Sequence, residues 1–181
     1  MPELPEVETV RKGLEKLTKN FHITKIAVLK ERSIASVNGS KSFINNIENS
    51  YLGHWERRGK YLIGSLNTIN KKSKGFLVVH LRMTGQFKLI DNQTPPCSHT
   101  RVRFFDEGGK ELRFIDIRNF GQMWYVSSKE SVPEIVSGIK SLGPEPFSED
   151  FNSCYLEQYL KNKKRSIKSA LLDQKTVAGV G

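Results

Sequence analysis

Cysteine is nearly absent: the sequence holds two, Cys97 and Cys154, far apart and each without a neighbouring partner. That count excludes a disulfide framework and a zinc site built on cysteine pairs, and it makes a reducing cytoplasm the expected compartment. No apolar run approaches the roughly 20 residues that span a bilayer. The opening MPELPEVETV also lacks the basic-then-apolar order of a secretory signal. Internal repeats and low-complexity tracts are missing too. Acidic residues are in short supply, with 19 Asp and Glu against 29 Lys and Arg, a net charge of +10 and a pI near 9.6. Such an excess favours a polyanionic partner, nucleic acid or an anionic membrane surface. With no membrane-spanning segment in the sequence, nucleic acid is the favoured reading.

What is present reads as one large domain or a domain and a half. Val7, Val10, Leu14 and Leu17 recur at helical spacing behind Pro5, which suits a first helical position, and Asn20 stops the helix. From Phe21 to Val126 the pattern becomes strands: Phe21–Lys30, Tyr51–Arg57, Lys60–Leu66, Gly75–Leu81, Gln86–Ile90, Arg101–Asp106, Glu111–Ile117 and Gln122–Val126. Polar and apolar residues alternate around Arg103/Phe104 and Arg113/Phe114, and Gly108-Gly109 marks a hairpin turn. The expected fold is α+β, a first helix packed on a two-sheet antiparallel β-sandwich. Ser36–Ser50 reads as a loop and a short helix, and Ser131–Lys140 as a helix.

Leu142-Gly-Pro-Glu-Pro146 punctuates the chain, so a boundary is expected between residues 1–140 and 141–181. Ser148 is expected to cap a helix running to about Lys161. Ile167, Leu171 and Leu172 share one side of a second helical segment. Two helices bury little surface alone, so this unit is expected to be incomplete and to fray after about Lys161.

The start of the chain carries chemistry of its own. Once Met1 is removed, Pro2 presents a secondary amine, which can attack an electrophilic sugar carbon and form an iminium. Having no N–H to lose, that iminium stays cationic and eases elimination of a neighbouring phosphate. An α-amino group has an ordinary pKa of about 7.7–8.0, and the adjacent helix N-terminus lowers it slightly. Glu3 sets a carboxylic acid beside the amine, and a positioned general acid contributes about 10²–10⁴-fold.

Five segments in order carry a resemblance: Pro2-Glu-Leu-Pro-Glu-Val-Glu-Thr-Val10, Arg57-Arg-Gly-Lys-Tyr-Leu62, His80-Leu-Arg-Met-Thr-Gly85, Asp116-Ile-Arg-Asn-Phe-Gly121, and Arg165 to Gln174 followed by Ala178-Gly-Val-Gly181. Together they resemble the formamidopyrimidine-DNA glycosylases from one end of the chain to the other. The resemblance implies Pro2 as Schiff-base nucleophile, Glu3 as proton donor, Glu6 as a supporting carboxylate, and Lys60 beside a DNA phosphate assisting elimination. It implies His80 as a phosphate donor, Met83 and Phe120 as wedges where the damaged nucleotide is extruded, and Arg118 as the hydrogen-bond donor to the base left behind. Asn119 departs from the family's Arg or Lys, which weakens an expected phosphate contact. Ser98-His-Thr-Arg-Val102 resembles a further family segment in which His99 and Arg101 face phosphate, with Ser98 replacing a lysine.

The implied activity is that of a bifunctional glycosylase and abasic-site lyase of base excision repair, releasing 8-oxoguanine and formamidopyrimidines from damaged double-stranded DNA as a monomer. The chemistry needs no metal, and no cofactor is expected on this chain. The family's helix–two-turn–helix unit is begun at residues 165–181, and its zinc finger, built on four cysteines, is absent. Two alternatives stand beside this: a weak or inactive DNA-binding fragment of the same enzyme, and an endonuclease VIII-like glycosylase for oxidised pyrimidines. Relatives of the latter kind start PEGPE and lack the Met–Arg–Phe wedge, whereas this chain has Leu4, Met83, Arg118 and Phe120.

Overall fold

The structure, a computed structural model, describes residues 2–181. The removal of Met1, on which a free proline amine depends, lies outside the described residues. Helix α1 (Leu4–Leu17) starts one residue earlier than expected, with Pro5 in its second position, where a missing N–H still costs nothing. Val7 and Leu14 are buried and Val10 packs at their edge, but Leu17 is half-exposed beside Phe87 and Leu89. The core stripe is therefore shorter than the sequence periodicity.

Two antiparallel sheets follow. One has five strands in the order β1 (His22–Ile23), β3 (Ser50–Arg58), β4 (Tyr61–Asn67), β5 (Ser73–His80) and β9 (Gln122–Ser127). The other has four, in the order β2 (Lys25–Val28), β7 (Thr100–Phe105), β8 (Lys110–Asp116) and β6 (Gly85–Asp91). The expected sandwich is present, with one correction. Phe21–Lys30 is two strands, because the chain changes sheets at Thr24, whose N–H and hydroxyl both donate to the Phe105 carbonyl. Trp55, Leu62, Leu77, Val102, Phe104, Leu112 and Phe114 meet α1 in the core, each side chain contributing roughly 1.5–3 kcal/mol on burial.

The remaining helices are short. Helix α2 (Gly39–Ile47) buries Phe43 and Ile47 completely. The helix expected over Ser131–Lys140 is two single turns, α3 (Val132–Ile135) and α4 (Ser137–Lys140), broken at buried Val136. Helix α5 (Ser153–Leu160) is capped by Asn152, which accepts from the Tyr155 N–H at 2.9 Å; Ser148 instead donates to the Glu145 carbonyl. Helix α6 (Ile167–Leu172) is capped by Ser166 and buries Ala170, leaving Ile167 and Leu172 exposed, so its packed face is not the large apolar one.

The segment beyond Lys161 packs more closely than expected. Thr176, Val177 and Ala178 are fully buried. The Tyr155 hydroxyl donates to the Thr176 carbonyl, the Ala178 N–H to Pro144, and the Leu4 N–H to the Gly179 carbonyl at 3.0 Å. Residues 176–179 thus close onto the start of α1, where Gly179 lies against Leu4.

Candidate active site

Lys60 is the second residue of the two-residue turn joining β3 to β4. Gly59 takes the first position at φ +55°, a conformation glycine enters without steric cost. The turn carries Lys60 inward until only 5% of it is exposed. Burial lowers the pKa of its ammonium, while the Glu3 and Glu6 carboxylates oppose that shift. Glu3 is the residue before the first turn of α1, and its N–H donates to Glu6 Oε2 at 3.0 Å. The third wall is the Gly179–Gly181 turn. A Cβ placed on Gly181 would collide with Lys60 Nζ and lie 3.6 Å from Glu3 Cγ. Pro2, partly exposed, directly precedes this cluster.

Glu145 locks the same hairpin from behind. Its carboxylate accepts from the Gly59 N–H at 2.6 Å, from Arg57 at 2.6 Å and from Arg58 at 2.9 Å. Burial would raise its pKa, but the Gly59 N–H and the two guanidiniums hold it below the ordinary carboxylate value. The Leu-Gly-Pro-Glu-Pro segment is therefore a clasp on the Lys60 turn as well as a break in the chain.

His80 ends β5 across from Tyr61, its ring edge-on to the tyrosine with centroids 4.5 Å apart. Burial, then the Arg82 and Lys60 charges, push its pKa down to about 3. The imidazole is neutral at pH 7. Its Nδ1 accepts the Arg82 N–H at 3.0 Å, which leaves the proton on Nε2 as a donor. Lys60, Tyr61, His80, Arg82, Gln174 and Gly181 line one groove.

Arg82 also lines a second groove, with Arg32, Met83, Phe120 and Gln122, so the two run together along one face. Met83 and Phe120 stand 40% and 39% exposed on loops that adjoin through Thr84. Each follows a residue in left-handed conformation, Arg82 at φ +55° and Asn119 at φ +56°. Asparagine enters that region with less strain than Arg or Lys, which accounts for its departure from the expected basic residue. The Phe120 ring lies between two guanidiniums, Arg118 at 5.2 Å and Arg32 at 5.5 Å, both within cation–π range. Fully buried Asp116 anchors the loop, accepting from the Thr84 hydroxyl and from the Gly121 N–H at 2.7 Å.

Two expected phosphate-side residues part company. His99 is exposed ahead of β7, whereas Arg101 commits three of its N–H donors to the carbonyls of Asp116, Ser98 and Ile117. Arg101 thereby braces the Asp116–Arg118 segment, with its terminal nitrogens at the surface. Among the described residues no three His, Cys, Asp or Glu side chains gather as a metal site. Cys97 and Cys154, both free and exposed, do not supply the family's four-cysteine zinc site. Among the described residues, no helix is long and apolar enough to cross a membrane.

A sandwich whose first helix opens beside a buried lysine, with two loops raising apolar side chains on the adjoining face, defines the architecture of the helix–two-turn–helix glycosylases. Residues 1–123 match the family profile of the formamidopyrimidine-DNA glycosylase N-terminal domain, and residues 142–181 match that of the formamidopyrimidine-DNA glycosylase H2TH domain. The chain belongs to the formamidopyrimidine-DNA glycosylase family. It is 78% identical over its whole length to formamidopyrimidine-DNA glycosylase from Prochlorococcus marinus strain NATL1A, spanning 64% of that relative. To the same-named protein of strain MIT 9211 it is 60% identical, covering 65% of it. Among solved structures it is similar to the Lactococcus lactis Fpg in complex with an abasic site containing DNA (TM-score 0.87, 32% identity, 99% of this chain and 63% of that one). It is equally similar to the same protein in complex with a FAPY-dG containing DNA (TM-score 0.87, 32% identity, 99% and 64%).

Sequence reasoning missed Arg32, Glu145 and Gln174 as site residues. Only Glu145 and Gln174 lay inside segments already singled out, one for its prolines and the other for its family likeness.

Proposed function

We propose that the protein is a bifunctional DNA glycosylase and abasic-site lyase acting on oxidised purines in double-stranded DNA, working through Pro2 as a monomer in the cytoplasm. The observation that carries this reading is the meeting of Glu3, the residue after Pro2, with buried Lys60 and the Gly179–Gly181 segment. The Pro2 amine attacks the sugar C1′, the base departs, and the iminium drives elimination of the flanking phosphates. Glu3 supplies a proton as the sugar ring opens, and Glu6, bonded to the Glu3 N–H, keeps that carboxylate's backbone in place. Lys60 and the neutral His80 offer donors to phosphate from one groove.

Met83, Arg118 and Phe120 occupy the space a nucleotide vacates. Extrusion costs a few kcal/mol, and apolar wedges with an arginine donor offset it. The net charge of +10 supports the polyanionic partner. Both similar Lactococcus lactis structures are DNA complexes by their descriptions, which supports the same partner here.

The test is borohydride trapping of abasic-site duplex, with Pro2 verified as the free terminus. A covalent adduct that disappears when an extra residue precedes Pro2 is the expected result. Absence of any adduct from the processed protein would overturn the reading.

A further inference from the structure

We infer that Gln174 is a positioning residue for the amine site, acting through the Gly179–Gly181 turn. The inference rests on the function proposed above. Gln174 follows α6, with no direct contact to Glu3 or Lys60 recorded in its hydrogen bonds. Its amide instead serves the turn from both sides. The carbonyl oxygen accepts the Gly179 N–H at 2.9 Å, and the amide nitrogen donates to the Val180 carbonyl and, at 3.3 Å, to that of Leu172. A primary amide suits this place because one side chain must both accept and donate. A carboxylate would meet the Val180 carbonyl with like partial charge, and an alkyl side chain would leave the Gly179 N–H without its partner.

The turn so held touches the catalytic groups at two points. The Gly179 carbonyl accepts the Leu4 N–H, the residue next to Glu3, at 3.0 Å. Gly179 itself sits at φ +88°, and a Cβ there would come 2.8 Å from the Leu4 side chain. Two residues on, Gly181 lies against Lys60 Nζ and Glu3 Cγ. Gln174 thus fixes backbone that borders both the helix entry carrying Glu3 and the lysine opposite. Freed of Gln174, the turn loses its register to Leu4, and Pro2 and Glu3 lose their set distance from Lys60. Misplacement by about 1 Å costs on the order of 10²-fold in rate.

The test uses the full-length protein and abasic-site duplex under single-turnover borohydride trapping, comparing wild type, Gln174→Ala and Gly179→Ala. The second variant leaves Gln174 in place and displaces the turn from Leu4. Both are expected to lower the saturating trapping rate about tenfold to a hundredfold. The DNA concentration at half-saturation should change less than threefold, because the Gln174 amide is already spent on the Gly179 and Val180 backbone and neither variant alters a charged side chain of the groove. A loosened helical segment would instead raise the half-saturation concentration and leave the saturating rate alone, and that result overturns the inference. So does a Gln174→Ala protein that traps as fast as wild type. Failure of wild type itself to trap overturns the proposed function, and this inference with it.

Discussion

Thr84 joins the two wedge loops: its hydroxyl donates to Asp116, and its oxygen accepts the Arg118 N–H at 3.0 Å. Met83 precedes Thr84, and Arg118 and Phe120 follow Asp116, so one side chain sets the spacing of all three wedge residues. Asp116→Asn places an amide NH₂ against either the Thr84 hydroxyl or the Gly121 N–H. The expected loss is about 1–3 kcal/mol, the cost of an unsatisfied buried group. Urea unfolding measures it, and an unchanged midpoint would show that the anchor is dispensable.

Phe120→Ala separates function from folding. The ring is 39% exposed, with two guanidiniums within cation–π range of it. Stability should change by less than about 0.5 kcal/mol, while single-turnover excision from a lesion duplex should fall about tenfold or more as the offset to extrusion is lost. Equal losses in thermal midpoint and in activity would contradict this division.

His80 gives stability a pH dependence of definite sign. Its folded-state pKa, about 3, lies below the ordinary 6.5, so the unfolded chain takes up the proton first. The stability that neutral His80 contributes is complete above about pH 6.5 and declines as the pH falls from there towards 3. The slope is about 1.4 kcal/mol per pH unit. Urea unfolding at pH 7, 6 and 5 should show that slope in the wild type and a shallower one in His80→Asn. Parallel curves would place the proton elsewhere.

Glu145 acts in a lower range. Its carboxyl is held below the ordinary 4.5, so the stability it adds is present above that pH and is lost as the pH falls through its depressed value. Glu145→Gln should cost about 1–3 kcal/mol at pH 7, shrinking towards zero in acid. Because the clasp holds Gly59 and so places Lys60, the same variant should slow trapping at Pro2. A variant that traps at the wild-type rate at pH 7 would separate the clasp from the site.

The sandwich was legible because apolar residues recur on a period of two, as at Val102 and Phe104 of β7 and Leu112 and Phe114 of β8, although β8 also buries Glu111 and Arg113 as an ion pair. The candidate site residues were legible for a different reason, the family resemblance of the motifs that hold them. A proline at the chain start or a lysine after a turn glycine has ordinary structural uses on its own. What sequence could not show was set by distance along the chain. The change of sheet at Thr24 depends on the Phe105 carbonyl, and the roles of Arg101 and Gln174 depend on backbone groups that no periodicity marks. The packed side of α6 was misjudged because a small residue, Ala170, fits where Ile167 and Leu172 do not.

The hydrogen bond from Leu4 to Gly179 joins residues separated by nearly the whole sequence. A growing polypeptide can therefore assemble its sheets long before the residues that border the reactive amine have been synthesised. Closure of so long a span comes late in folding, since contacts remote in sequence carry the largest entropic cost. A nascent or C-terminally nicked molecule would keep its sandwich and its exposed Met83 and Phe120 loops yet lack the backbone that borders Glu3 and Lys60, and under the proposed function it would bind a duplex without reacting with it.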